Sequence, residues 1–190
     1  KPVEAAPEAP KIAAVAPTVA APPATPEKKE KPAVALVDPK PRAEVAVAAP
    51  IGRPGVAVYD ITAGIVHMPN GEKLEAHSGL GAYMDDVRYV HVKMRGPTPP
   101  GTYRLTMRES LFHGVEAIRL TPVDGKKPFG RDGLLAHTYM LRKPGESNGC
   151  VSFRDYSRFL TAFKRGEVKQ MVVVPRLNTK SEPKVASLFS

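Results

Sequence analysis

The chain has 190 residues, a net charge of +9 and a single cysteine. That length holds one ordinary domain, and one cysteine excludes an internal disulfide. The basic excess attracts polyanions such as nucleic acid, anionic lipid or acidic cell-wall polymer. No helix-turn-helix pattern, RNP aromatic run or zinc spacing accompanies it, so nucleic acid is not the expected partner.

The first fifty residues hold 11 of the 21 prolines, no glycine and no aromatic residue. Such a stretch buries too little apolar surface to offset its ordering entropy, so residues 1–51 read as a disordered Ala/Pro-rich linker. The apolar runs at 33–37 and 171–174 are far too short to span a bilayer, and no signal peptide is legible. The chain opens on Lys1 rather than Met, which leaves room for a membrane anchor ahead of it. All twelve Phe and Tyr fall after residue 50, which places the core there.

From residue 56 short strand patterns follow one another. Residues 56–60 and 65–68 are apolar runs; Pro69-Asn70-Gly71 then favours a hairpin turn into a return strand at 73–77. Residues 89–94 alternate and predict another strand. In the segment 96–101 three prolines fix φ and remove donors, so it is a rigid loop feeding a strand at 102–107. Residues 116–121 and 134–139 are further β candidates, the second carrying His137. Residues 142–149 form a polar loop.

After Cys150 the period changes. Tyr156, Phe159, Leu160 and Phe163 share one helical face, with Ser152 and Asp155 spaced as a capping box and Gly166 as the stop. A last buried strand is expected at 170–174. These elements predict a mostly β domain over 52–177 with one or two helices, and a flexible tail over 178–190.

The chemistry centres on Cys150, in Ser147-Asn148-Gly149-Cys150. A glycine before a thiol admits a substrate backbone, and His137, thirteen positions upstream, is a candidate base. A thiol just before a helix would also gain from the helix dipole. The bland alternatives are a small buried hydrophobe for Cys150 and a core histidine for His137. Ser147 either bonds the backbone of the turn or is an ordinary loop serine. Arg131 and Asp132 either bind a substrate carboxylate or pair with each other, and Arg154 is a second carboxylate binder or a solvated side chain. His77 and Ser78 open a glycine loop and join the candidates. The histidines are too dispersed for a metal site, and no cofactor is expected.

The motif around Cys150 resembles the S-x-G-C nucleophile motif of YkuD-like L,D-transpeptidases. The chain is more similar still to the type VI secretion L,D-transpeptidase effector (Tlde) relatives. His77-Ser78-Gly79, the segment 96–103, Leu120-Thr121-Pro122, the segment 130–137 and the cysteine motif agree with that group in order, over about 56–175. Asn148 stands where the wider family has a histidine, and Ser152 where it has Arg or Asn.

The resemblance implies a β-rich catalytic domain acting on peptidoglycan stem peptides through a Cys150 acyl-enzyme, with His137 as base. Gly149, Ser147 and Asn148 would shape the oxyanion site. It implies a bacterial periplasm or envelope setting, or secretion into a rival's periplasm with an immunity protein as partner. A non-catalytic envelope-binding module and a cysteine peptidase or amidase are the competing readings.

Overall fold

Alternating and β-branched runs close into an eight-stranded barrel in the computed structural model, which describes residues 49–178. The expected linker and tail fall almost wholly outside the described residues. The strands are β1 (Gly55–Asp60), β2 (Ile65–His67), β3 (Lys73–His77), β4 (Gly101–Met107), β5 (Ile118–Pro122), β6 (Leu135–Thr138), β7 (Val151–Phe153) and β8 (Val168–Val174). One helix, α1 (Tyr156–Lys164), follows β7, and 3₁₀ turns lie at Gly81–Tyr83, Val87–Tyr89 and Pro128–Gly130. No helix among the described residues is long and apolar enough to cross a membrane.

The strand order around the barrel is β1-β2-β3-β7-β6-β5-β4-β8. Six of the eight neighbouring pairs are antiparallel; β1 with β8 and β6 with β7 are parallel. A parallel pair cannot be closed by a tight hairpin and needs a crossover of about a dozen residues. The polar loop between β6 and β7 is that crossover.

Closure buries one face of every strand. Ala57, Tyr59, Leu74, Ala76, Tyr103, Leu105, Ala136, Val151, Phe153 and Met171 all belong to the main core. Strand β1 is buried on its other face as well, where Val56 and Val58 meet Val174 and Leu177. Helix α1 packs on β6 and β8 and sends Tyr156, Phe159 and Ala162 into the core. The Phe159 ring stacks on Phe153 with centroids 4.5 Å apart. Glu167 N–H donates to Ala162 O and Gly166 N–H to Phe163 O, a Schellman ending that satisfies two orphan carbonyls.

Three expectations are corrected. Residues 89–94 are not a strand but turns after a 3₁₀ segment, because Arg131 and the Gly96 N–H draw their carbonyls into loop bonds. Ser152 is not a helix cap but the middle of β7, a strand too short to show periodicity; the N-cap is Asp155, and its side chain makes no capping bond. Cys150 is consequently separated from α1 by a whole strand, and the helix dipole does not act on its sulfur.

Phe159 is fully buried and joins α1 to β7. Phe159→Ala should lower unfolding free energy by about 3–5 kcal/mol in chemical denaturation. A loss below about 1 kcal/mol would show that α1 is not part of the cooperative core.

Candidate active site

The register of β6 and β7 aligns His137 with Ser152, and the register of β3 and β7 aligns His77 with the same Ser152. The residues that alternate with these (Ala136, Val151, Phe153 and Ala76) point into the core. His137, Ser152 and His77 therefore form a row across three strands on the face turned away from that core. Cys150 stands two residues ahead of Ser152, at the entry to β7, and the Leu135 backbone hydrogen-bonds its sulfur.

The cysteine turn is held from three sides. Ser147 Oγ donates to Cys150 O and accepts from the N–H groups of Gly149 and Gly79. Ser147 N–H in turn donates to Gly79 O at 2.8 Å. Thr98 Oγ1 donates to Gly149 O at 2.8 Å, while Thr98 N–H donates to Ser78 Oγ. Flanking prolines fix Thr98, so the rigid loop is a strut beneath the turn. Gly149 has φ +104°, and a Cβ there would collide with the Arg131 guanidinium and the Gly96 carbonyl. Only glycine satisfies both the backbone angle and the space.

The His77 ring packs against Gly145, where a Cβ would come within 2.9 Å of it. Its Nδ1 is 2.6 Å from Asp85 Oδ2. Asp85 Oδ1 accepts from Ser78 N–H and Tyr59 OH. Asp85 holds these bonds from a left-handed backbone, φ +57°, which Asp tolerates better than most side chains. The hydrogen bond to Asp85 raises the His77 pKa above its ordinary value, against the opposing effect of burial.

His137 is 4% exposed. Burial is the main cause that lowers its pKa, so the ring is neutral at neutral pH. Its Nδ1 lies 2.6 Å from Thr138 O, which assigns the proton to Nδ1 and leaves Nε2 as an acceptor. The Phe112 ring lies 5.4 Å away, centroid to centroid. Among the described residues no hydrogen bond joins His137 to Cys150. Burial also raises the thiol pKa, countered by the Leu135 backbone and by Arg131. The pair at rest is thus a neutral thiol and a neutral imidazole.

The remaining candidates are distributed unevenly. Ser78 and Gly149 lie at the turn, whereas Asn148 is exposed. Arg131 and Asp132 do not pair with each other. Asp132 bonds Lys127 at the surface, and Arg131 turns inward to the carbonyls of Val90, Gly96 and Pro97. That orientation removes Arg131 from the set of surface carboxylate binders. Arg154 pairs with Glu75 at 3.0 Å, and Glu75 also accepts from Tyr139 OH. Among the described residues no three His, Cys, Asp or Glu side chains converge as a metal-ligand group.

Sequence reasoning missed Asp85 and Thr98, and gave Ser152 the role of a helix cap although it stands in the row with His137 and His77. Asp85 sits in a polar loop with no distinguishing pattern, while the prolines around Thr98 were a signal of rigidity but not of contact. Ser152 Oγ is fully buried and without a hydrogen-bond partner.

The Tlde1 domain model matches residues 72–177, which span β3 to the end of the barrel and every residue of this site. The chain belongs to the Tlde1 domain family. No curated protein matches it. Membership agrees with the Tlde and YkuD-like resemblance of the motifs, and supports a peptidoglycan-modifying role and a cell-envelope setting in general.

The two histidines should titrate on opposite sides of 6.5, the ordinary value. The His77–Asp85 contribution to stability is complete below about pH 6.5 and is lost as pH rises through the raised His77 pKa. The buried neutral His137 works the other way: its contribution is complete above that pH and falls away on acidification through its lowered pKa. NMR titration of the ring protons checks both. In Asp85→Asn the His77 midpoint should fall; an unchanged midpoint would mean that the carboxylate does not set it.

Proposed function

We propose that the protein is a cysteine-dependent enzyme acting on the tetrapeptide stems of peptidoglycan, as an L,D-transpeptidase, an L,D-carboxypeptidase or both. The observation that carries this reading is that β6 and β7 run parallel with His137 opposite Ser152, while Cys150 stands two residues ahead of Ser152 at the entry to β7, against the Leu135 backbone. Family membership supports peptidoglycan in general as the substrate.

In this reading His137 Nε2 takes the proton of Cys150 once substrate has displaced water. The hydrogen bond between base and nucleophile is commonly long in the free enzyme and tightens on binding. The thiolate attacks the carbonyl of the diamino-acid residue and forms a C–S bond. Gly149 N–H is already engaged by Ser147 Oγ, so the oxyanion role passes to Cys150 N–H. The tetrahedral intermediate collapses, the C–N bond breaks, and D-alanine leaves with the proton from His137. An acceptor amine or water then attacks the thioester, gives its proton to His137 and releases the thiolate. An amine yields a crosslink or an exchanged terminal residue; water yields a shortened stem.

The exposed Arg154 is the candidate for a substrate carboxylate, exchanging its surface pairing with Glu75 for the ligand. Surface pairs of this kind are worth little, so the exchange costs little. In the bacterial periplasm such an enzyme would either remodel its own wall or, as a secreted effector with an immunity partner, damage a rival's.

Cys150→Ala and His137→Ala should each lower muropeptide conversion by about a thousandfold or more, and the double variant should be little worse, since the two act as a unit. Mass spectrometry of digested muropeptides reads this. Full activity of Cys150→Ala would refute the mechanism. Cleavage products from L-peptide or amide bonds would instead favour a peptidase or amidase. Pull-down on sacculi with no product in any variant would favour a binding module.

A further inference from the structure

Arg131 is 5% exposed. Its Nη1 donates to Val90 O and Pro97 O, and its Nη2 to Gly96 O. Among the described residues no carboxylate pairs with it. A buried cation is costly unless a counter-charge accompanies it, and carbonyl dipoles compensate a whole charge only in part. The guanidinium packs directly beneath the Gly149 Cα, one residue from the thiol, and interacts electrostatically with the buried Tyr103 hydroxyl and with Cys150; burial keeps that phenol protonated, so it supplies no counter-charge. A guanidinium also keeps its charge when buried, as an ammonium often does not.

We propose that Arg131 is the built-in counter-cation of the Cys150 thiolate, a positioning residue that acts on the reaction through the sulfur. The inference rests on the reading of Cys150 as nucleophile. It explains why a cation is buried without a carboxylate: the missing anion exists only after His137 has taken the thiol proton. It also explains Gly149, since any side chain there would separate the guanidinium from the turn. With the helix dipole removed from the sulfur by β7, Arg131 and the Leu135 backbone are the groups left to offset burial. Other ionisable groups around the turn include Tyr103 on β4, His137 on β6, His77 with Asp85 beside β3, and in the crossover Glu146, which accepts from Gly81 N–H and pairs with Lys143.

The test uses the full chain and iodoacetamide, which reports on Cys150 alone because it is the only cysteine. The alkylation rate is followed against pH for the wild type, Arg131→Lys, Arg131→Gln and Thr98→Val. Arg131→Gln should move the midpoint upward by about one to three units, and Arg131→Lys should remain closer to the wild type. Thr98→Val loosens the same turn without changing charge and should leave the midpoint in place. A midpoint unmoved in Arg131→Gln, or moved as far by Thr98→Val, would overturn the proposal.

If Arg131→Gln does not fold, Arg131→Met, which fills the same space without stranding a polar group, takes its place with the same expected upward shift; an unmoved midpoint in it would overturn the proposal. Should alkylation depend on Arg131 while muropeptides stay unprocessed, the proposed function fails and the role of Arg131 stands.

Discussion

The parallel pairing of β6 with β7 is the constraint on which the site depends. An antiparallel hairpin would let the two strands meet through a tight turn, with the ends of the connection side by side. Parallel strands instead require the chain to return to the starting end through a crossover. The crossover here is the polar loop that ends in the 147–150 turn, and it delivers Cys150 to the edge of β7 nearest Leu135 and His137. The separation of histidine and cysteine by thirteen positions is set by that return, residues 139–150.

A crossover of polar and turn-forming residues has little core of its own, so its end must be fixed by hydrogen bonds. Three buried hydroxyl side chains do most of this. Ser147 ties the turn to Gly79, Thr98 ties it to the proline loop, and Ser78 Oγ ties that loop to Tyr59, while the Ser78 N–H donates to Asp85. Each hydroxyl both donates and accepts or bridges two segments, which lets three small residues satisfy several backbone groups at once. Loops far apart in sequence thus become one support, and His77 is anchored to it through Asp85.

The fold was largely legible. Strands β1, β2, β3, β4, β5, β6 and β8 and helix α1 follow the expected positions within a few residues, because apolar periodicity reports burial directly. Strand β7 was not legible: three residues between a turn and a helix carry no measurable period. The segment 89–94 misled for the opposite reason, since its alternation has no paired strand and its carbonyls are claimed by a distant arginine. In the site, Cys150, His137, Ser147 and Gly149 stood out by residue type and local motif. Thr98 and the inward turn of Arg131 did not, because each acts through a partner tens of residues away, and Asp85 did not because its loop carries no pattern that marks it as the partner of His77.

The sequence by itself determined the β-rich class, the boundary between Ala/Pro-rich segment and aromatic core, and the identity of the lone thiol with its nearby histidine. These are properties of composition and short-range pattern. Only the tertiary structure decided which faces meet: that His137, Ser152 and His77 share one row, that the helix dipole is remote from the sulfur, and that a buried guanidinium lies beneath the cysteine turn. Strand register and barrel closure set those neighbours, and both are fixed by long-range pairing that no local window contains.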